Sequence, residues 1–160
     1  MFAAAQDKYS LPALQQTSSN THLAEKENDP YRGVKPNITN LILQGLRMKL
    51  TALQGLPENW DGVGSAKPNP LAISNAMNWL EQMYSQIVSA QLEWRTPHIT
   101  ASEDGEVVFE WWSGDHKLTI YFGADTSEFI QVWGTHIKNE MADGQLEATG
   151  ILGLWKWLSA

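Results

Sequence analysis

Within 160 residues the chain carries eight tryptophans and no cysteine, which excludes thiol catalysis, disulfides and thiolate zinc sites and leaves ample ring area for a core. Its 42% hydrophobic and 18% charged residues suit an ordinary globular protein, and no apolar run approaches the ~20 residues that cross a bilayer. The net charge of −7 is concentrated, because from Glu93 to Glu147 eleven acids face only Arg95, Lys117 and Lys138, a local −8. Such a segment repels nucleic acid and attracts a basic or cationic protein surface.

Residues 1–36 balance four acids against four bases up to Lys35 and are rich in Gln, Ser, Thr and Asn. With few large apolar groups and no sustained period they cannot offset ordering entropy, so a disordered tail is expected, followed by a single domain over 37–160. Tyr9-Ser10-Leu11-Pro12 and Pro30-Tyr31-Arg32 are candidate docking motifs within it. Met1–Ala5 has neither a basic n-region nor the length of an h-region, and the expected location is cytoplasmic.

From Asn37, the residues Ile38, Leu41, Ile42, Leu46, Leu50 and Leu53 recur every three or four positions as the apolar stripe of a first helix. Asn37 or Thr39 can cap it, and Gly55-Leu56-Pro57 ends it. A second helix opens at Asn69-Pro70, a capping residue followed by proline at the first helical position. Its stripe is Ile73, Ala76, Met77, Leu80, Tyr84, Ile87 and Val88, with Trp79 and Met83 on the flank.

Between the helices lies Leu56-Pro57-Glu58-Asn59-Trp60-Asp61-Gly62-Val63-Gly64-Ser65-Ala66. Glu58, Asn59 and Asp61 offer oxygens that a hard cation accepts, yet the Asp-x-Asp-x-Asp-Gly ladder of calcium loops is absent. A structural loop is expected instead, with Trp60 plugging the core, Asn59 and Asp61 holding the turn, and Gly62 and Gly64 supplying positive φ. No metal and no cofactor are expected.

After Pro97 the period becomes two. His98–Ser102, Glu106–Trp112, Lys117–Phe122 and Glu128–Trp133 read as four strands joined by the turns Glu103-Asp104-Gly105, Ser113-Gly114-Asp115 and Gly123–Ser127. His136–Met141 is a candidate fifth strand, Asp143-Gly144 a further turn, and Thr149–Leu158 a last helix. The expected fold is α+β: two N-terminal helices, a four- to five-stranded antiparallel meander and a C-terminal helix.

Alternation puts Val107, Phe109, Trp111, Leu118, Ile120 and Phe122 on the core side, with Ile130 and Val132 joining them. The other side then presents Glu106, Val108, Glu110, Trp112, Lys117, Thr119, Tyr121, Phe129, Gln131 and Trp133, an acidic aromatic patch of the kind found at protein interfaces, unless the C-terminal helix covers it.

The segment Asn59-Trp60-Asp61-Gly62-Val63-Gly64-Ser65, followed by Pro68 and Pro70 and by the strand pair around Ser102–Trp111, resembles a group of small bacterial proteins with the pattern Asn-Trp-Asp-Gly-x-Gly-Ala, often carried on plasmids and other mobile elements. The likeness covers about residues 50–158, with Val63 and Ser65 standing where the group has an aromatic and an alanine. It implies no catalytic residue.

No His-x-x-x-His pair, Gly-x-Ser-x-Gly elbow, phosphate loop or dinucleotide fingerprint occurs. Two functions remain as expectations. One is a non-enzymatic accessory that binds a basic protein through the acidic aromatic face, an inhibitor, antitoxin-like component or complex subunit of a mobile-element or defence system. The other is an enzyme of unrecognised type that uses Glu58, Asp61 and a histidine beside the 56–66 loop.

Overall fold

A computed structural model describes residues 38–160 apart from Ile137; the expected tail over 1–36 and the Asn37 cap lie outside these residues. Helix α1, Ile38–Leu53, turns Leu46 and Leu50 into the core, with Ile42, Leu43 and Leu53 partly buried beside them. Leu41 does not belong to this stripe and is 52% exposed. At 3.6 residues per turn it stands roughly 140° around the helix from Leu46.

Helix α2, Pro70–Ser89, begins where Asn69 Oδ1 accepts the Leu71 N–H at 2.9 Å. Its buried face centres on Ile73, Ala76, Leu80 and Ile87 and includes Met83, which lies in the core and not on its flank, while Val88 faces out. The helix closes with Gln91 at φ 58, its N–H on the Val88 carbonyl and that of Leu92 on Ile87. Those two bonds form a Schellman motif built without glycine.

Five strands follow: β1 His98–Ala101, β2 Val107–Ser113, β3 His116–Phe122, β4 Ser127–Val132 and β5 Met141–Gln145. Each pairs antiparallel with the next, in the order β1-β2-β3-β4-β5. Helix α3, Ile151–Leu158, completes the chain. The α+β meander expected from the sequence is therefore present. Its fifth strand starts at Met141 and runs through Asp143-Gly144, so the expected turn there is strand; Gly144 lies opposite Phe129, whose ring occupies the space that a side chain would take.

Directly paired residues share a face of a sheet, and the registers Phe109↔Ile120 and Ile120↔Phe129 put these three side chains on one side. This corrects the expectation for β4. Phe129 and Gln131 face the helices, and Ile130 and Val132 face away with Thr119 and Lys117. A shift of one residue in register inverts every side chain of a strand. Trp133 follows in the same phase as Gln131, and its ring stands 6.1 Å from that of Trp157 on α3.

All three helices contribute to one core against the Val107, Phe109, Trp111, Leu118, Ile120 and Phe122 side of the sheet. The C-terminal helix thus covers the same face as the other two. Its Trp155 stacks nearly parallel on Trp94 at 5.4 Å and meets Trp111 edge-on at 5.5 Å. Both buried indoles are tied to the segment before β1, Trp155 Nε1 donating to the Glu93 carbonyl at 3.0 Å and Trp111 Nε1 to that of Arg95 at 2.9 Å.

Candidate functional site

The sheet's second face carries none of the described helices. At its β1–β3 end the Glu110 carboxylate is the centre of a small charged group, with Lys117 Nζ at 2.6 Å from one oxygen and His98 Nδ1 at 3.5 Å from the other. Strand register creates this group, since His98 lies opposite Glu110 and Lys117 opposite Trp112. The Lys117 ammonium is also 5.3 Å from the centre of the Trp112 ring, and the His98 ring is 6.1 Å from it.

Trp112 is 55% exposed, the one aromatic among the exposed large apolar side chains of the described residues. A cation over an indole is worth about 0.5–1 kcal/mol at an exposed site. Here the cation is itself tethered to Glu110, so the ring is held without being covered. Beneath this outer layer Val108 and Thr119 are each 5% exposed.

At the β3–β5 end, Tyr121, Glu128, Ile130, Met141, Asp143 and Gln145 line a cleft of about 400 Å³. Gln145 Nε2 donates to Glu128 Oε1 at 2.8 Å. Among the described residues the ion pairs are Arg47–Glu81 and Lys117–Glu110, with His98 beside Glu110, so neither Glu128 nor Asp143 is in one. Over the strands, this face presents three carboxylates, Glu110, Glu128 and Asp143, against the one ammonium of Lys117.

Of the side chains singled out from the sequence, Trp112, Tyr121 and Glu110 share this face. Glu106 sits just before β2, where Ser102 Oγ donates to its carboxylate at 3.3 Å and accepts its backbone N–H at 3.1 Å. Phe129 and Trp133 belong to the helix side. Lys117 also lies on this face, as alternation places it, whereas sequence reasoning missed His98, Glu128 and Asp143, whose roles arise from pairing across strands.

The 56–66 loop is closed on itself. Asn59, at φ 59, accepts the Gly64 N–H through Oδ1 at 2.6 Å, and its own N–H bonds the Ser65 carbonyl at 2.8 Å. Gly62 and Gly64 take φ 80 and 104. Asp61 Oδ1 accepts the N–H groups of Val63 at 3.0 Å and Ser65 at 3.2 Å, and its second oxygen accepts the Ser65 hydroxyl. Glu58 accepts the Lys67 N–H at 3.1 Å, and Trp60 Nε1 donates to the Ala66 carbonyl at 3.2 Å. Trp60 is half-buried over its own loop and does not join the core cluster, which corrects the expectation that it plugs the core.

The strand histidines are dispersed. His98 stands beside Glu110, His116 against Trp157 at 4.5 Å, and His136 in the β4–β5 connection, where its N–H bonds Glu140 at 2.7 Å. Among the described residues no three His, Asp or Glu side chains gather as a metal ion would require.

The Ser65 hydroxyl, with the Val63 and Ser65 N–H groups, holds the Asp61 carboxyl below the ordinary aspartate range, against an opposing effect of desolvation. A carboxylate whose native value is depressed stabilises the fold fully above its unfolded value, about 3.9, and loses that contribution as pH falls through the native value. Asp61→Asn is therefore expected to lower stability at pH 7 and to flatten the acid limb of a stability-versus-pH curve below about pH 4. Urea unfolding at pH 7, 4 and 3 checks this, and parallel curves for the two proteins would remove the carboxylate from the loop's stability.

No helix of the described residues is long and apolar enough to cross a membrane. Comparison with protein-family models found no match to this chain, and comparisons with curated proteins and with solved structures likewise found none.

Proposed function

We propose that this chain is a non-enzymatic module that binds another protein through the open face of its sheet, and that the partner presents a basic surface. The reading rests on Trp112, an indole that is half exposed on a sheet face none of the described helices covers and already held by Lys117 and Glu110. Tryptophan is enriched among the few residues that carry binding energy, and a side chain ordered before contact loses little freedom on binding. Ile130 and Val132, on β4 beyond Thr119 and Lys117, add apolar surface to the same face.

The carboxylates of Glu110, Glu128 and Asp143 steer a basic partner and fix its register. The same charges disfavour a second copy of this face, which would bring like groups together. The resemblance carried by Asn59-Trp60-Asp61-Gly62 supports a partner within a mobile-element or defence system, and the absence of cysteine supports a reducing, cytoplasmic setting.

Native capture from the source cell by the wild-type chain and by Trp112→Ala, at low and high salt, tests the reading. A basic protein retained by the wild type, lost by Trp112→Ala and weakened by salt is the expected result, with Trp112→Ala unfolding within about 0.5 kcal/mol of wild type. Equal capture by the variant, capture of no protein, or dimerisation of the chain through this face would overturn it.

A further inference from the structure

We infer that the cleft between β3, β4 and β5 receives an arginine side chain of the basic partner, an inference that rests on the function proposed above and deepens it. The cleft's volume of about 400 Å³ lies within the range of pockets that hold small organic groups, and its lining is divided by chemistry. Ile130 and Met141 offer apolar surface to an aliphatic stem. Tyr121 offers the face or edge of a ring, and Glu128 and Asp143 supply carboxylates from adjacent strands.

Guanidinium suits this set better than ammonium. Its plane stacks on an aromatic ring, and its five donors can meet two carboxylates at once, whereas an ammonium is a compact and strongly hydrated point charge. Glu128 is oriented in advance, because Gln145 holds Oε1 and leaves Oε2 as the further acceptor. Neither Glu128 nor Asp143 has an internal cation to displace among the described residues. In this respect the cleft differs from the Glu110 group, whose charge Lys117 already answers.

Titration with N-acetyl-arginine amide, followed by two-dimensional NMR of the intact chain, tests the cleft without any partner. Shifts confined to the cleft, at Tyr121, Glu128, Ile130, Met141, Asp143 and Gln145, are expected, with no comparable response to the neutral isostere N-acetyl-citrulline amide. In Glu128→Gln/Asp143→Asn, both exposed positions, the apparent Kd for the arginine amide should rise at least roughly tenfold. Equal response to citrulline, shifts elsewhere, or an unchanged Kd in the double variant would overturn the inference. The two readings fail separately: a partner lost by Trp112→Ala but held undiminished by the double variant removes the arginine pocket and leaves the face. A partner held by Trp112→Ala removes the face whatever the amide does.

Discussion

Trp155→Ala is expected to lower folding stability by about 3–5 kcal/mol, the cost of deleting a large aromatic side chain from a packed core. Several losses coincide at this position. The indole is 1% exposed, so its removal leaves a cavity bounded by Trp94 on one side and Trp111 on the other. Offset-stacked and edge-on ring pairs add about 0.5–1.5 kcal/mol each beyond the area they bury. The Glu93 carbonyl also loses its donor. Because a domain's total stability is only about 5–15 kcal/mol, the variant should sit near the edge of folding, with Tm lowered by more than about 10 °C.

The contrast with Trp112 gives the measurement its meaning. Both are tryptophans on or beside the same sheet, yet Trp112 is 55% exposed and anchored only by side chains of its own face. Thermal and urea unfolding of the two alanine variants should separate them by several kcal/mol. Comparable losses would mean that the open face is covered in solution.

How far such distinctions are visible in the sequence depends on the element. Helix α2 is legible because an N-cap, a proline and seven apolar positions agree on one segment, and strands β2 and β3 because large apolar residues occupy one phase and mixed residues the other. In β4 both phases compete: Phe129, Gln131 and Trp133 in one, Ile130 and Val132 in the other. Alternation alone does not choose between them. The decision falls to the Gly123–Thr126 turn, whose Gly123 N–H bonds the Thr126 carbonyl at 2.9 Å and brings Ser127 opposite Phe122.

Strand β5 is hidden for a different reason. Met141-Ala142-Asp143-Gly144-Gln145 has no β-branched or aromatic residue, and Asp-Gly is a turn signal. It is a strand because β4 offers an unpaired edge and the Phe129 ring compensates for Gly144. The candidate face inherits both difficulties. Trp112, Tyr121 and Glu110 follow from the clear phases of β2 and β3, whereas Glu128, Ile130 and Asp143 become neighbours only once the registers of β4 and β5 are known. The Glu110 group likewise joins residues 7 and 12 positions from it in the chain, Lys117 and His98.

Gly105→Ala is the second substitution expected to have a large effect, by more than about 2 kcal/mol, because this glycine is buried in the β1–β2 turn. Gly105 has φ 80, a conformation that costs an L side chain about 1–2 kcal/mol. A Cβ there would also stand 2.7 Å from the Lys67 carbonyl oxygen, a backbone atom that has little room to yield. The approach is close because the β1–β2 turn clasps the chain ahead of α2, Ala66 N–H bonding the Glu103 carbonyl and Asn69 N–H that of Gly105, both at 2.8 Å. That short segment also receives the Trp60 and Glu58 bonds of the 56–66 loop and supplies the α2 cap. Displacing it therefore disturbs the loop, the helix start and the turn together. Gly62 has the same φ of 80, and a Cβ added there would meet nothing within 4 Å, so Gly62→Ala isolates the conformational penalty from the clash. Urea unfolding should show Gly105→Ala losing clearly more stability than Gly62→Ala; equal losses would mean that the clasp can open at little cost, and that the loop is joined to the sheet less firmly than its hydrogen bonds indicate.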